Sequence, residues 1–339
     1  MRKEISTNIR KCKESIEKFT MKDLWNGFER KNMQGTTFIG KGGEGVAFLV
    51  RTPSCELVMK ITKRGKIKDA KEQFFSNEIK LIVESDESPN FIYPYGMIYR
   101  NNLTLILSEY ADGGDLERWC SFERSKDEWY SMLFQIVYAV KIMGEHGILH
   151  NDMKPKNILI KRVDEVIEYK DKNQTKNQTK NQTKTYSVPT FGSLFLISDF
   201  GHALTLKTDS SMNTTIDLCI KDKCDLKELE SLYKRLMVNQ IIKTRTLNDL
   251  KQLVTDPYFD NYIKSESEKV NRELHKYPQY IRDKMVLRSA AYYAVEKGYV
   301  KRDQINAPLP DQEVIDFIQS WSNFGIDGII ELFDPLFAK

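Results

Sequence analysis

The chain has 339 residues, and 40% hydrophobic content is enough for a sizeable core in one large two-lobed domain or two small ones. Lys and Arg number 52 against 48 Asp and Glu, a formal net charge of +4. That near balance, with no Arg-rich stripe and no aromatics interleaved with basic residues, argues against nucleic acid as a partner and leaves phosphate-bearing ligands compatible.

Residues 1–33 read as a charged helical extension. Its opening "MRKEISTNIRKCKESIEKF" has the positive start of a leader but no apolar middle. Strand-like text follows in "TTFIGKGGEGVAFLVRT" and "ELVMKIT". A helix is expected near 67–85, where Phe75, Ile79 and Ile82 recur at helical spacing. Two more strands fit "FIYPYGMIY" and "LTLILSEY", with Asn101-Asn102 as their turn. Residues 34–110 are therefore a β-rich lobe with one helix, and a hinge is expected near 110–114.

Residues 111–339 turn helical. Ser125 and Glu128 form a capping-box pattern before a helix with Trp129, Met132, Leu133, Ile136, Val137, Val140 and Met143 on one face. Further helices are expected from Asp225, with Leu229, Leu232, Tyr233 and Leu236 on one face, and near 277–297 and 311–322. The repeat "NQTKNQTKNQTK" at 173–184 is polar throughout and reads as the centre of a disordered insertion over about 168–190. No apolar run approaches the roughly 20 residues of a membrane span. The five cysteines (Cys12, Cys55, Cys120, Cys219, Cys224) are odd in number and mostly far apart, which argues for a reducing, cytoplasmic setting.

Three constellations carry chemistry. "GKGGEG" places Gly40, Gly42 and Gly45 between two strands, where glycines let backbone N–H groups approach a phosphate. Lys60 ends the next strand-like run, and Glu78 lies beside the apolar face of the following helix. A carboxylate on that face needs a partner, and Lys60 is the natural one; a solvated place at the edge of the face is the alternative. "HNDMKPKN" sets Asp152, Lys154 and Asn157 at fixed spacing, and "ISDFGHA" supplies Asp199-Phe200-Gly201.

In this order the constellations resemble the eukaryotic-type protein kinase family over about residues 36–237. The resemblance implies an α+β, bilobal fold, with a small β-rich N-lobe and a larger, mostly helical C-lobe. It implies ATP and Mg²⁺ as cofactors, with Mn²⁺ as an alternative ion, and a protein substrate offering a Ser or Thr hydroxyl. Asp199 and Asn157 would hold the metal, Lys60 would grip the α- and β-phosphates with Glu78 fixing it, Asp152 would orient the hydroxyl, and Lys154 would neutralise the transferring group. Ser108 aligns with the residue at the back of the adenine pocket. The backbone of Glu109 and Ala111 would meet the adenine edge, Asp115 the ribose, and Ala47, Val58 and Leu159 would sandwich the ring.

Four departures stand out. Asn151 replaces the Arg that pairs with an activation-loop phosphate in the family, which implies activity without that switch. Asn157 and Asp199 are unusually far apart. No Ala-Pro-Glu segment precedes Asp225, whose family counterpart supports the catalytic loop. Residues 240–339 match no part of the family pattern. Trimmed kinases of this kind are familiar in large DNA viruses and some bacteria. The competing readings are a pseudokinase scaffold and a small-molecule kinase of the aminoglycoside or choline type.

Overall fold

Alternation in "ELVMKIT" puts Leu57, Met59 and Ile61 on one face, as a half-buried strand requires. In the computed structural model this segment is the middle of a five-stranded antiparallel sheet. The structure describes Cys12 and residues 36–41, 45–52, 55–62, 66–100, 102–172, 183–205 and 224–339. The strands are β1 (Thr36–Lys41), β2 (Gly45–Arg51), β3 (Glu56–Thr62), β4 (Pro94–Arg100) and β5 (Leu103–Glu109), in the order β1-β2-β3-β5-β4. Their inner face carries Val50, Leu57, Met59, Ile61, Leu105 and Leu107, and Cys12 is buried among them. The remainder of the expected extension 1–33 lies outside the described residues.

Helix α1 (Lys66–Glu84) lies between β3 and β4 in the chain and buries Phe75, Ile79 and Ile82. Beyond β5, the pair β6 (Gly114–Asp115) leads into the short helix α2 (Leu116–Trp119) and then α3 (Lys126–Glu145). The sequence gives α3 one apolar face, but every residue from Trp129 to Ala139 is buried. Its polar members are absorbed by specific bonds. Gln135 accepts from Asn90 Nδ2 at 3.1 Å and from Phe195 N at 3.0 Å. Lys141, only 4% exposed, sits 2.6 Å from Asp171 and 2.8 Å from Asp327.

The pair β7 (Ile148–Leu149) precedes β8 (Ile158–Lys161), and β8 lies between β6 and β11 (Leu194–Ile197) in a three-stranded sheet. The expected disordered insertion over 168–190 requires correction. Strands β9 (Val166–Lys172) and β10 (Thr183–Pro189) pair in register from Val166↔Pro189 to Lys172↔Thr183. Alternation explains it: Ile167, Tyr169 and Asp171 on one strand and Tyr186 and Val188 on the other are all buried. Residues 173–182 lie outside the described residues. The C-terminal segment closes on this hairpin: Ala338 bridges Tyr186, Lys339 N donates to Thr185 O at 2.9 Å, and Tyr186 Oη donates to Asp334 at 2.9 Å.

The chain divides into two compact units. One takes Met1–Trp119, Asp127–Leu226 and Ser320–Lys339; the other takes Cys120–Lys126 and Lys227–Gln319. The sequence reading took 111–339 as one lobe, whereas the chain leaves the first unit at Leu226 and returns at Ser320. The second unit has its own core, including Val238, Ile241, Leu250, Phe259, Ile263, Ala290, Ala291 and Ala294. A full capping box starts its helix Leu247–Leu253, where Thr246 and Asp249 exchange hydrogen bonds. Tyr233 and Leu236 are only half-buried, and Met237, Val238 and Ile241 take the core positions. The helix is interrupted at Ser231, which shifts the face that follows. Among the described residues no helix is long and apolar enough to cross a membrane.

Candidate active site

The loop from His150 to Asn157 is held residue by residue. Asp225, 4% exposed, accepts from His150 N at 2.8 Å with Oδ2 and from Asn151 N at 2.9 Å with Oδ1. Asp152 N donates to His150 Nδ1 at 3.3 Å, so Nε2 carries the ring proton and donates to Ser198 O at 2.9 Å. A neutral ring satisfies both bonds, and burial pushes His150 below its ordinary value near 6.5. Asn151 has φ 59°, a left-handed conformation that Asn tolerates better than most residues. Its Nδ2 donates to His202 O at 3.4 Å.

Within this frame three side chains converge. Lys154 Nζ lies 2.6 Å from Asp152 Oδ2, and Asn157 Nδ2 donates to the same Oδ2 and to Asp152 O, each at 2.9 Å. Asp152 Oδ1 carries neither contact. Asn157 O accepts from both the backbone and the hydroxyl of Ser198 at 2.9 Å, which ties the loop to the residue before Asp199. Asp199 is left-handed at φ 65°, ψ 68°, and its Oδ1 meets Lys60 Nζ at 3.0 Å. Phe200 is buried against His150, with ring centroids 4.8 Å apart. Beyond it β12 (Leu204–Thr205) pairs with β7. Residues 206–223, including Ser210, Ser211, Thr214 and Thr215, lie outside the described residues.

These groups border a cleft of about 280 Å³. Its walls include Ala47, Val58 and Leu159, and Lys60, Ser108, Glu109, Asn157 and Asp199 also line it. Ala47 and Lys60 are register partners across β2 and β3, and Leu159 pairs with Asp115 across β8 and β6. Asp115 and Ala111 are outside the lining. Asp115 Oδ1 accepts from Arg118 N at 2.8 Å and so anchors the first turn of α2. Gly45 is required by packing: a Cβ there would stand 2.1 Å from Ile61 O. Gly40 has open space around it and pairs with Ala47. Gly42 lies outside the described residues.

The expected pair between Lys60 and Glu78 is absent. Lys60 meets Asp199, and the carboxylate of α1 that lines the cleft is Glu72, which is 6% exposed. Helical geometry explains the change. Glu72 stands three residues before Phe75 and seven before Ile79, on the buried stripe, whereas Glu78 falls at its half-exposed edge. Spacing to the apolar positions was the signal available for Glu72.

The donor set suits a hard cation beside phosphates. Asn157 commits its amide nitrogen to Asp152, which leaves Oδ1 as its acceptor, and Asp199 supplies the carboxylate. Mg²⁺ is commonly held by one or two protein oxygens plus substrate phosphates rather than by a full protein cage. Among the described residues no group of three or more His, Cys, Asp or Glu is placed to hold a metal ion by itself.

A five-stranded sheet with one helix, leading into a helical part whose loop sets Asp152, Lys154 and Asn157 beside Asp199, is a bilobal kinase fold. Residues 33–218, more than half the chain, match the protein kinase domain, and the chain belongs to that family. It is 34% identical over 127 residues to calcium-dependent protein kinase 6 of Plasmodium berghei (strain Anka), covering 36% of this chain and 8% of that protein. It is 32% identical over 133 residues to mitogen-activated protein kinase kinase 2 of Arabidopsis thaliana, covering 38% and 36%. Over 155 residues it is 26% identical to serine/threonine-protein kinase nekl-2 of Caenorhabditis elegans, covering 41% and 43%. The matched stretch spans less than half the length of each of these relatives.

Proposed function

We propose that the chain is a serine/threonine protein kinase that transfers the γ-phosphate of ATP to a protein hydroxyl, with Mg²⁺ or Mn²⁺ as the ion, in a cytoplasmic setting. The observation that carries this reading is the unbroken network from Lys154 through Asp152 and Asn157 to Ser198, Asp199 and Lys60. Phosphoryl transfer needs positioning and charge neutralisation more than covalent chemistry, and this network supplies both.

Asp152 Oδ1 is the oxygen left to accept a hydrogen bond from the substrate hydroxyl, because Oδ2 is engaged by Lys154 and Asn157. Lys154, on the same carboxylate, faces the charge of the transferring group. Asn157 Oδ1 and Asp199 would hold the ion, which neutralises the phosphates when bound. Lys60, drawn to Asp199 here, is the cation available to the α- and β-phosphates. Glu109 offers backbone to the adenine edge, and Ala47, Val58 and Leu159 offer apolar walls.

Control is proposed to run without an activation-loop phosphate. Asn151 carries no charge to pair with one and instead bonds the backbone of His202.

The test is labelled ATP with Mg²⁺ and generic protein substrates, run beside Asp152→Asn. Label on Ser or Thr that vanishes in the variant is expected. Equal signal from both proteins would sink the assignment. ATP that raises Tm without any transfer would mark a pseudokinase, and label confined to small alcohols would mark a small-molecule kinase. Asn151→Arg is expected to change the rate less than about twofold, since that position does no chemistry.

A further inference from the structure

Strand β8 supplies one wall of the cleft, and it also carries a lysine that the chemistry above does not use. Side chains alternate along a strand, so Lys161, two residues beyond Leu159, falls on the same face. Leu159 lines the cleft, whereas Lys161 stands outside the lining. Lys161 Nζ donates to Tyr110 O at 2.8 Å and lies 3.7 Å from Glu109 Oε1. Glu109 itself lines the cleft and is 5% exposed. Taking the cleft as the ATP site, as proposed above, we infer that Lys161 is a positioning residue for the nucleotide: it fixes the backbone of Glu109 and Tyr110, where the adenine edge is met.

The lysine acts in two ways. One is orientation. Tyr110 O belongs to the planar, trans peptide between Tyr110 and Ala111. Holding that oxygen on Lys161 turns Ala111 N–H to the opposite side and stops the peptide unit from rotating. The other is charge. A carboxylate as buried as that of Glu109 is costly unless it is compensated. Its Oε2 accepts from Tyr93 N at 3.3 Å, and the Lys161 ammonium supplies positive charge beside Oε1. Glu109 N also donates to Tyr93 O at 2.9 Å, so Glu109 is held through both backbone and side chain.

The residues that follow are held on β8 by bonds that do not involve the Lys161 side chain. Gly113 N donates to Ile160 O at 2.7 Å, and Arg162 N donates to Asp112 Oδ1 at 2.9 Å. Gly114 and Asp115 pair with Ile160 and Leu159. The approach is close enough that a Cβ on Gly113 would stand 2.8 Å from Ile160 O. Loss of the lysine therefore loosens Glu109 and Tyr110 while the stretch 112–115 stays on its strand. Asp152, Lys154 and Asn157 are held by their own bonds, so the transfer step is left intact. The expected signature is weaker nucleotide binding with an unchanged turnover.

The experiment measures the Kd of ATP with Mg²⁺ by calorimetry, and KM and kcat by labelled transfer, on the full chain and its variants. Lys161→Met keeps the stem and removes the charge and the donors. It is expected to raise Kd and KM for ATP about tenfold and to leave kcat at saturating ATP within about twofold. Lys161→Arg is expected to recover most of the affinity, because a guanidinium can donate to both the Tyr110 and Glu109 oxygens. Arg162→Met, whose exposed side chain is one residue along, is expected to bind ATP as the unaltered chain does. Tm without nucleotide shows that each variant is folded. If Lys161→Met does not fold, Glu109→Gln carries the test, with an expected rise of about threefold in Kd. Unchanged Kd and KM in Lys161→Met, a loss confined to kcat, or no recovery with Lys161→Arg would overturn the role of Lys161 while the unaltered chain still binds and transfers. An unaltered chain that binds no ATP would overturn the kinase reading, and this role with it.

Discussion

The loop His150–Asn157 and helix α1 both present charged groups toward the cleft, and they do so by different means. In the loop each candidate residue is held by bonds to its sequence neighbours or to Asp225, so spacing along the chain nearly fixes geometry. On the helix, a side chain's direction depends on which stripe docks, and one residue is worth about 100° of rotation. Glu78 stands six positions after Glu72, and only Glu72 reaches the cleft. Motif spacing is thus a sound guide where the backbone is irregular and locally bonded, and a weaker one on a regular helix.

The widest gap between the two regions should appear in turnover. Asp152→Asn is expected to lower kcat by roughly 10³-fold, read with labelled ATP, because general-base positioning is typically worth 10²–10⁴. Loss of less than tenfold would mean that the loop does not do the orienting. Next comes the helix. Glu72→Gln should lower kcat/KM for ATP by roughly tenfold, about 1.4 kcal/mol, while Glu78→Gln stays within about twofold, as for most surface changes. The opposite ranking would restore Glu78 as the carboxylate that acts on Lys60 and would erase the contrast.

Stability offers a third comparison. Asp225→Ala strands two backbone N–H groups of the loop and should cost about 2–4 kcal/mol in urea unfolding. Ile79→Ala, a cavity on the buried stripe of α1, should cost a similar 2–5 kcal/mol. The difference lies in activity per folded molecule, which should fall in the first and change little in the second.

The fourth prediction concerns pH. Burial depresses His150 in the folded state. The unfolded chain therefore takes up a proton first, and the contribution of the neutral ring is fully present above pH 6.5 and lost as pH falls below it toward the depressed folded value. Unfolding free energy measured between pH 7.5 and 5 should decline, and His150→Phe should flatten that limb. An unchanged slope would mean that the ring titrates alike in both states. The smallest effect belongs to the repeat: replacing residues 173–182 by a short Asn-Gly turn should leave kcat within about twofold, since β9 and β10 are paired by residues outside it.

Legibility in the sequence followed the same physics. Asp152, Lys154, Asn157, Asp199 and Lys60 were readable because their spacing encodes a network. The strands were readable by alternation, as at Glu56–Thr62. Glu72 was hidden because its helical stripe had to be known before its partner. The hairpin Val166–Pro189 was hidden because the polar repeat masked the alternation of Ile167, Tyr169, Tyr186 and Val188 on either side. The separate unit Lys227–Gln319 was hidden because helical periodicity shows which face is buried, not which core it is buried in.

The clamp on that hairpin has an evolutionary consequence. Buried Tyr169 and Tyr186, with Ala338 and Lys339 on the outer strand, set the register from beyond the repeat. Closing a longer loop costs only about 0.6 kcal/mol per doubling of its length. Each NQTK unit is a whole number of codons, so replication slippage can add or drop one without shifting frame or strand register. The tract is then a stretch of nearly neutral length variation, free to drift in copy number while the catalytic loop beside it in sequence admits almost no change.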